Sequence, residues 1–160
     1  MVFDKYPSKI TKDYWVLAFP NKNTREITDN CGKWLIFTNT KDLDNCWQKI
    51  AKATEEGILG IEAKSATAKE NPNALSQDKK VICVYTYDSE DKDDVARVAW
   101  ELYDLGVVPV VLNYKKDKVT LEKKYAVKGQ KKICRYSISH THFKGKTKEE
   151  FIDFFKGTFD

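Results

Sequence analysis

The sequence predicts an α+β fold: a curved, mostly antiparallel sheet with two or three helices packed on one face. Three observations predict it. Runs dense in β-branched and aromatic residues recur along the chain. Between and after them lie stretches whose apolar residues repeat at helical spacing. The resulting β-α-β-β-α-β order, joined by long polar loops, belongs to α+β architectures. The 160 residues are long enough to bury a core and are read as one domain, 1–160.

The strand-like runs are YWVLAF (14–19), KWLIFT (33–38), GIEAKSA (60–66), VICVYTY (81–87), VVPVVLNY (107–114) and ICRYSIS (133–139). A first helix starts at Thr40, carries Leu43, Cys46, Trp47, Ile50 and Ala51 on one stripe, and stops at Gly57. The second begins after Asp88 or Ser89, with acids that suit the positive end of its dipole. It presents Val95, Val98, Ala99 and Leu102 and ends at Gly106. A third, short helix opens with the capping box Thr147–Glu150 and docks through Phe151, Phe154 and Phe155. Ala68 to Lys80 is a polar loop with Asn-Pro at 71 and 72.

Composition narrows the class. With 41% hydrophobic and 32% charged residues the chain reads as an ordinary globular protein, and no run approaches the roughly 20 apolar residues of a membrane helix. MVFDKYPSKITKDYW has neither an apolar core nor a small-residue cleavage site, so the expected location is cytoplasmic and no membrane partner is expected. Cys31, Cys46, Cys83 and Cys134 are scattered, with Cys83 and Cys134 inside apparent strands. They read as free thiols, with no metal and no cofactor expected. The net charge of +4 is unevenly placed: from Lys115 to Arg135 nine Lys/Arg face two acids, whereas Asp88 to Asp94 is acidic. A local basic surface suits a phosphate-bearing ligand.

Period-2 alternation sorts the strand residues. Lys33, Leu35 and Phe37 share one face of their strand, opposite Trp34 and Ile36; Cys83, Tyr85 and Tyr87 oppose Ile82, Val84 and Thr86. The helices cover the more apolar face. The other, open and concave, can therefore gather Lys33, Lys64, Lys115, Arg135 and one or two tyrosines, if their strands are neighbours. Each also has a plain reading: solvated lysines, packing tyrosines, and tryptophans that are mostly core. Arg25, in the loop before Lys33, is a candidate oxyanion clamp or an ordinary surface arginine. His140 and His142, an i, i+2 pair read as lying on a strand, point to one side and suit metal or acid–base work.

The blocks GKWLIF, GILGIEAKSAT, VICVYTYD, DDVARV and LNYKKD, in this order over residues 14 to 125, resemble the basophilic-leukaemia-expressed protein family. That resemblance implies a fold like the mRNA cap-binding translation initiation factors (4E-like). Those proteins sandwich a methylated guanine between two tryptophans and grip its phosphates with basic residues. The order of a strand opening with lysine, a helix, the strand EAKSAT and a tyrosine-bearing strand is also similar to the phosphothreonine lyases of bacterial effectors. That second resemblance implies Lys64 as the base that takes a Cα proton and Lys33 as a phosphate contact. Leu35 stands where those enzymes carry a general-acid histidine, which leaves His140 or His142 to take the part.

Two functions follow as expectations. The first is β-elimination of phosphate from a phosphorylated peptide, with Lys64 catalytic and Lys33, Arg25, Tyr85, Tyr87, Lys115, Arg135, His140 and His142 binding. The second is a non-catalytic nucleotide or RNA module using the same cations. A protein-docking role for the concave face is a third reading. DNA is not expected as a partner, and the oligomeric state is open.

Overall fold

The computed structural model describes residues 4–22, 24–72, 78–117 and 134–159. Residues 118–133, with most of the basic run and the start of ICRYSIS, lie outside them, as do residues 73–77 of the polar loop. Strands β1 (Trp15–Ala18), β2 (Gly32–Asn39), β3 (Glu62–Ala66), β4 (Lys79–Thr86), β5 (Val111–Lys116) and β6 (Tyr136–Ser139) form one six-stranded sheet. Its order is β1-β3-β4-β2-β5-β6, and every neighbouring pair is antiparallel. Helices α1 (Leu43–Glu55), α2 (Lys92–Asp104), the single turn α3 (His140–Phe143) and α4 (Lys148–Thr158) complete the α+β fold, with a 3-10 turn at Pro7–Lys9.

The helices cover the face that alternation predicted. Trp34, Ile36, Ala63, Ile82, Val84, Leu112, Tyr114, Tyr136 and Ile138 point into it and are buried with Leu43, Trp47, Ile50, Val95, Val98, Leu102, Phe151 and Phe155. Each large apolar side chain withdrawn from water there stabilises the fold by about 1.5–3 kcal/mol. The buried indoles also satisfy their N–H groups: Trp34 donates to Val95 O at 3.0 Å and Trp47 to Asp4 O at 2.7 Å. Phe155 packs edge-on against Tyr136, with centroids 4.9 Å apart, and so fixes α4 to the β6 end of the sheet.

Several boundaries differ from the sequence reading for local reasons. The first helix begins at Leu43 rather than Thr40, because Asn39 Oδ1 accepts the Asp42 amide at 2.8 Å and holds the chain in a turn first. The fifth strand starts at Val111 rather than residue 107. Pro109 has no N–H for a ladder, and Val107 instead donates to Leu102 O, closing the end of α2. Cys134 precedes β6 rather than lying in it. Gly57 and Gly106 stop their helices with φ of +80° and +77°, as expected of residues with no Cβ. The box at the start of α4 is formed in both directions: Glu150 N to Thr147 Oγ1 at 3.2 Å, and Thr147 N to Glu150 Oε1 at 3.0 Å.

Candidate functional site

Alternation along β2, β3, β4 and β5 turns Lys33, Lys64, Cys83, Tyr85 and Lys115 to the face away from the helices. The register then makes them neighbours. Lys33 stands between Tyr85 and Lys115, and Tyr85 is opposite Glu62 on its other side. One row along, Lys64 lies between Leu17 and Cys83, and Cys83 pairs with Leu35.

Tyr85 is the hub of this arrangement. The Lys33 ammonium lies 5.4 Å from its ring centroid and the Lys64 ammonium 5.8 Å, with Lys64 also 4.1 Å over the ring of Trp15. The negative face of an aromatic ring attracts a cation. The amines of two strands therefore meet at one ring rather than diverging into water. Beneath them Leu35, Cys83 and Tyr85 are buried, and Ile61 and Val81 pack against them. Further along the same face Leu17, Phe37 and Val111 are exposed, so the face grades from closed to open.

The two lysines differ in what they touch. Lys33 has only 7% of its side chain exposed and donates to Asp117 Oδ1 at 3.0 Å. Among the described residues neither Lys64 nor Lys115 makes an ion pair with a carboxylate. Burial raises the Tyr85 hydroxyl far above the ordinary phenol range, so it stays protonated. Burial likewise raises the Cys83 thiol, against the opposing pull of Lys33 and Lys64. Glu62 is also pushed up, by burial first and by Asp117 to a lesser extent, while Lys64 pulls it down.

The remaining predicted site residues lie elsewhere. Arg25 sits over the ring of Tyr87 at 4.9 Å and donates to the Tyr87 hydroxyl at 2.6 Å and to Asp91 at 2.8 Å. Tyr87 follows the end of β4 and itself donates to Asp91, so it belongs to this exposed cluster and not to the row of Tyr85. Arg135 faces Glu90 at 3.7 Å, together with Lys116 at 3.0 Å. These two cations hold the Glu90 carboxyl below its usual range, Lys116 contributing most. The histidines are not on a strand. Ser139 ends β6 and caps the turn α3, so His142 Nδ1 accepts the Ser139 amide at 2.9 Å and His140 Nε2 contacts Val108 O at 2.7 Å. Neither histidine faces Lys64, and Leu35 on the lysine face carries no proton to donate.

Residues 21–121, more than half of the chain, match the family of the Basophilic leukemia-expressed protein Bles03. The chain belongs to this family. Among solved structures it is similar to Schistosome eIF4E complexed with m7GpppG and 4E-BP, at 12% identity and a TM-score of 0.59, covering 83% of this chain and 74% of that one. It is also similar to Ascaris suum eIF4E-3 in complex with m7G cap, at 16% identity and a TM-score of 0.51, over 78% of this chain and 68% of that one. A further Ascaris suum eIF4E-3 structure, with m2,2,7G cap, matches at 19% identity and a TM-score of 0.49; the match covers 68% of this chain, which spans 58% of that one. At these identities the likeness is one of fold, and this Bles03-family chain has an eIF4E-like fold.

Within that fold the tryptophans of this Bles03-family chain are mostly committed to packing. Trp34 and Trp47 are wholly buried, and Trp100 packs among Tyr103, Phe143 and Phe151. Trp15 is the exception, half-buried beneath Lys64. Sequence reasoning passed over Trp15, Glu62 and Asp117 as parts of the lysine face. A usable signal existed for one: Asp117 is the acid closest to Lys115 and Lys116 in an otherwise basic run.

Proposed function

We propose that the face carrying Lys33, Lys64 and Lys115 binds the phosphates of a nucleotide or of single-stranded RNA, without performing chemistry on it. The observation that carries this reading is the pair of lysines, Lys64 and Lys115, held beside a buried apolar floor and making no ion pair among the described residues. An oxyanion arriving there gains charge-assisted hydrogen bonds that the protein itself leaves unfilled. Lys64 rests on Trp15. On binding it can swing from the ring to a phosphate and leave the indole face to a base. Base–aromatic stacking of this kind contributes about 1–3 kcal/mol per base. The similar eIF4E structures are complexes with m7GpppG and with m7G cap, which makes a capped dinucleotide the natural first probe.

The test is calorimetric titration of m7GpppG, GpppG and a short single-stranded RNA at low salt into the wild type and Lys64→Met. The wild type should saturate with at least one of the three. The variant should bind about tenfold more weakly, as expected for loss of one charge-assisted contact. No saturation with any probe, or equal affinity in the variant, overturns the proposal. The same preparation incubated with a phosphothreonine peptide gives the competing answer by mass. Loss of phosphoric acid would replace binding by β-elimination, with Lys64 as the base that the lyase resemblance implies.

A further inference from the structure

A sheet face left open to water is expected to be polar where it is most exposed. The lysine face is not. Towards its end away from Tyr85, Leu17, Phe37 and Val111 are 46%, 46% and 47% exposed. Single exposed apolar residues are ordinary, but a contiguous apolar patch marks a binding surface. The register decides between the two. Trp15 pairs with Ala66, and Phe37 with Val81. Ser65 pairs with Ile82, so in the same register Ala66 stands beside Val81. Leu35 pairs with Asn113, and continuing that register sets Val111 beside Phe37. Trp15, Ala66, Val81, Phe37 and Val111 thus form one row across five strands, with no charged side chain among them.

Cations flank this row. Lys64 lies 4.1 Å over the ring of Trp15, at one end of it. On β5, Val111, Asn113 and Lys115 alternate on one face, which sets Lys115 roughly 13 Å along the strand from the row. The two aromatic rings of the row stand on β1 and β2, three strand intervals or roughly 14 Å apart. Bases stacked in a helical strand rise only about 3.4 Å per nucleotide, so a mononucleotide cannot reach both rings. A chain of several nucleotides can, laying a base on each ring and phosphates at Lys64 and Lys115. Exposed aromatics on a sheet are one established way of holding unpaired RNA bases. An apolar peptide would also cover the row, but it would bring no charge to oppose the lysines. Charge complementarity therefore favours a polynucleotide.

We propose that Trp15 and Phe37 are base-stacking platforms, and that the ligand of this face is single-stranded RNA of several nucleotides rather than a lone nucleotide. The inference rests on the phosphate-binding reading above and specifies its ligand. Nothing in the lysine grip alone requires a ring at residue 37.

The experiment is calorimetric titration of diuridylate, octauridylate and m7GpppG into the wild type, Phe37→Leu, Phe37→Tyr and Lys64→Met at one fixed, low salt concentration. Octauridylate should bind the wild type at least tenfold more tightly than diuridylate. Phe37→Leu keeps an apolar side chain at an exposed position but removes the ring. It should weaken octauridylate about tenfold, the size of one lost stack. Phe37→Tyr keeps the ring and should retain the affinity. The inference is overturned if octauridylate binds the wild type no more tightly than diuridylate. It is overturned equally if Phe37→Leu binds octauridylate as the wild type does, the pattern expected of a row that serves an apolar peptide. A loss in Phe37→Tyr as large as that in Phe37→Leu also overturns it. In each of these cases the phosphate-binding reading stands as long as one probe saturates the wild type and is weakened by Lys64→Met. Saturation by none of the three overturns both.

Discussion

Lys33 and Lys64 carry the same ammonium on one sheet face, yet their surroundings give them different work. Lys33 is shut away with Asp117, whereas Lys64 rests on aromatic rings and is free to exchange partners. The acid beside them, Glu62, shows how finely that balance is set. Its folded-state carboxyl titrates above the unfolded value of about 4.5, chiefly because burial disfavours the charged form. A raised carboxyl contributes stability that is fully present below the unfolded value and is lost as pH rises through the folded one. At neutral pH the ionised Glu62 therefore works against folding. Glu62→Gln should be slightly more stable than the wild type at pH 7, and the two should converge as the pH falls below about 4.5. Urea unfolding at several pH values measures this, and a variant less stable at pH 7 would sink the argument. Removing the charge should also favour an anion at Lys64.

At the level of elements, the backbone dictates what side-chain patterns alone do not. Gly60 lies just ahead of β3, where the chain passes the carbonyl of Tyr85; a Cβ there would stand 1.8 Å from that oxygen. Backbone cannot yield as a flexible side chain can, so Gly60→Ala should force β3 away from β4. We expect a loss on the order of 3 kcal/mol, at the upper end for overpacking, together with weakened ligand binding because Lys64 moves with β3. Denaturation midpoints and the titration of Lys64 ligands read the two effects. A variant as stable as the wild type would overturn this account of the crossing. Much at this scale was legible in the sequence. Alternation alone assigned Lys33, Leu35 and Phe37 to one face and Trp34 and Ile36 to the other, because a covered sheet face must be apolar. The Thr147–Glu150 box was equally plain, since its signal lies within four residues. The histidine pair was not. Ser139 ends a strand and caps a turn at once, and the period-2 reading ran one element too far.

For the whole molecule, the decisive fact is strand order. β4 lies between β3 and β2, which brings Tyr85 against Lys33 and, diagonally, Lys64. Nothing local in the sequence encodes that adjacency, so the lysines could be read individually while Glu62, Trp15 and Asp117 were missed as their surroundings. The same order separates the chemistry of the protein into two sides, an aromatic and aliphatic core under the helices and a mixed face on which lysines surround a small apolar floor. A face of that kind makes a quantitative demand on RNA binding. Each phosphate neutralised on a single strand releases counterions, so the logarithm of affinity should fall with the logarithm of salt by about 0.7 per contact. With Lys64 and Lys115 making no ion pair among the described residues, a slope near −1.4 is expected at the least. Replacing either by methionine should flatten the slope by about 0.7, and replacing both should leave little salt dependence from this face. Substituting Arg25, which is tied to Asp91 and Tyr87, should barely change it. A steep slope that survives the double substitution would move the nucleic-acid contact off this sheet face altogether.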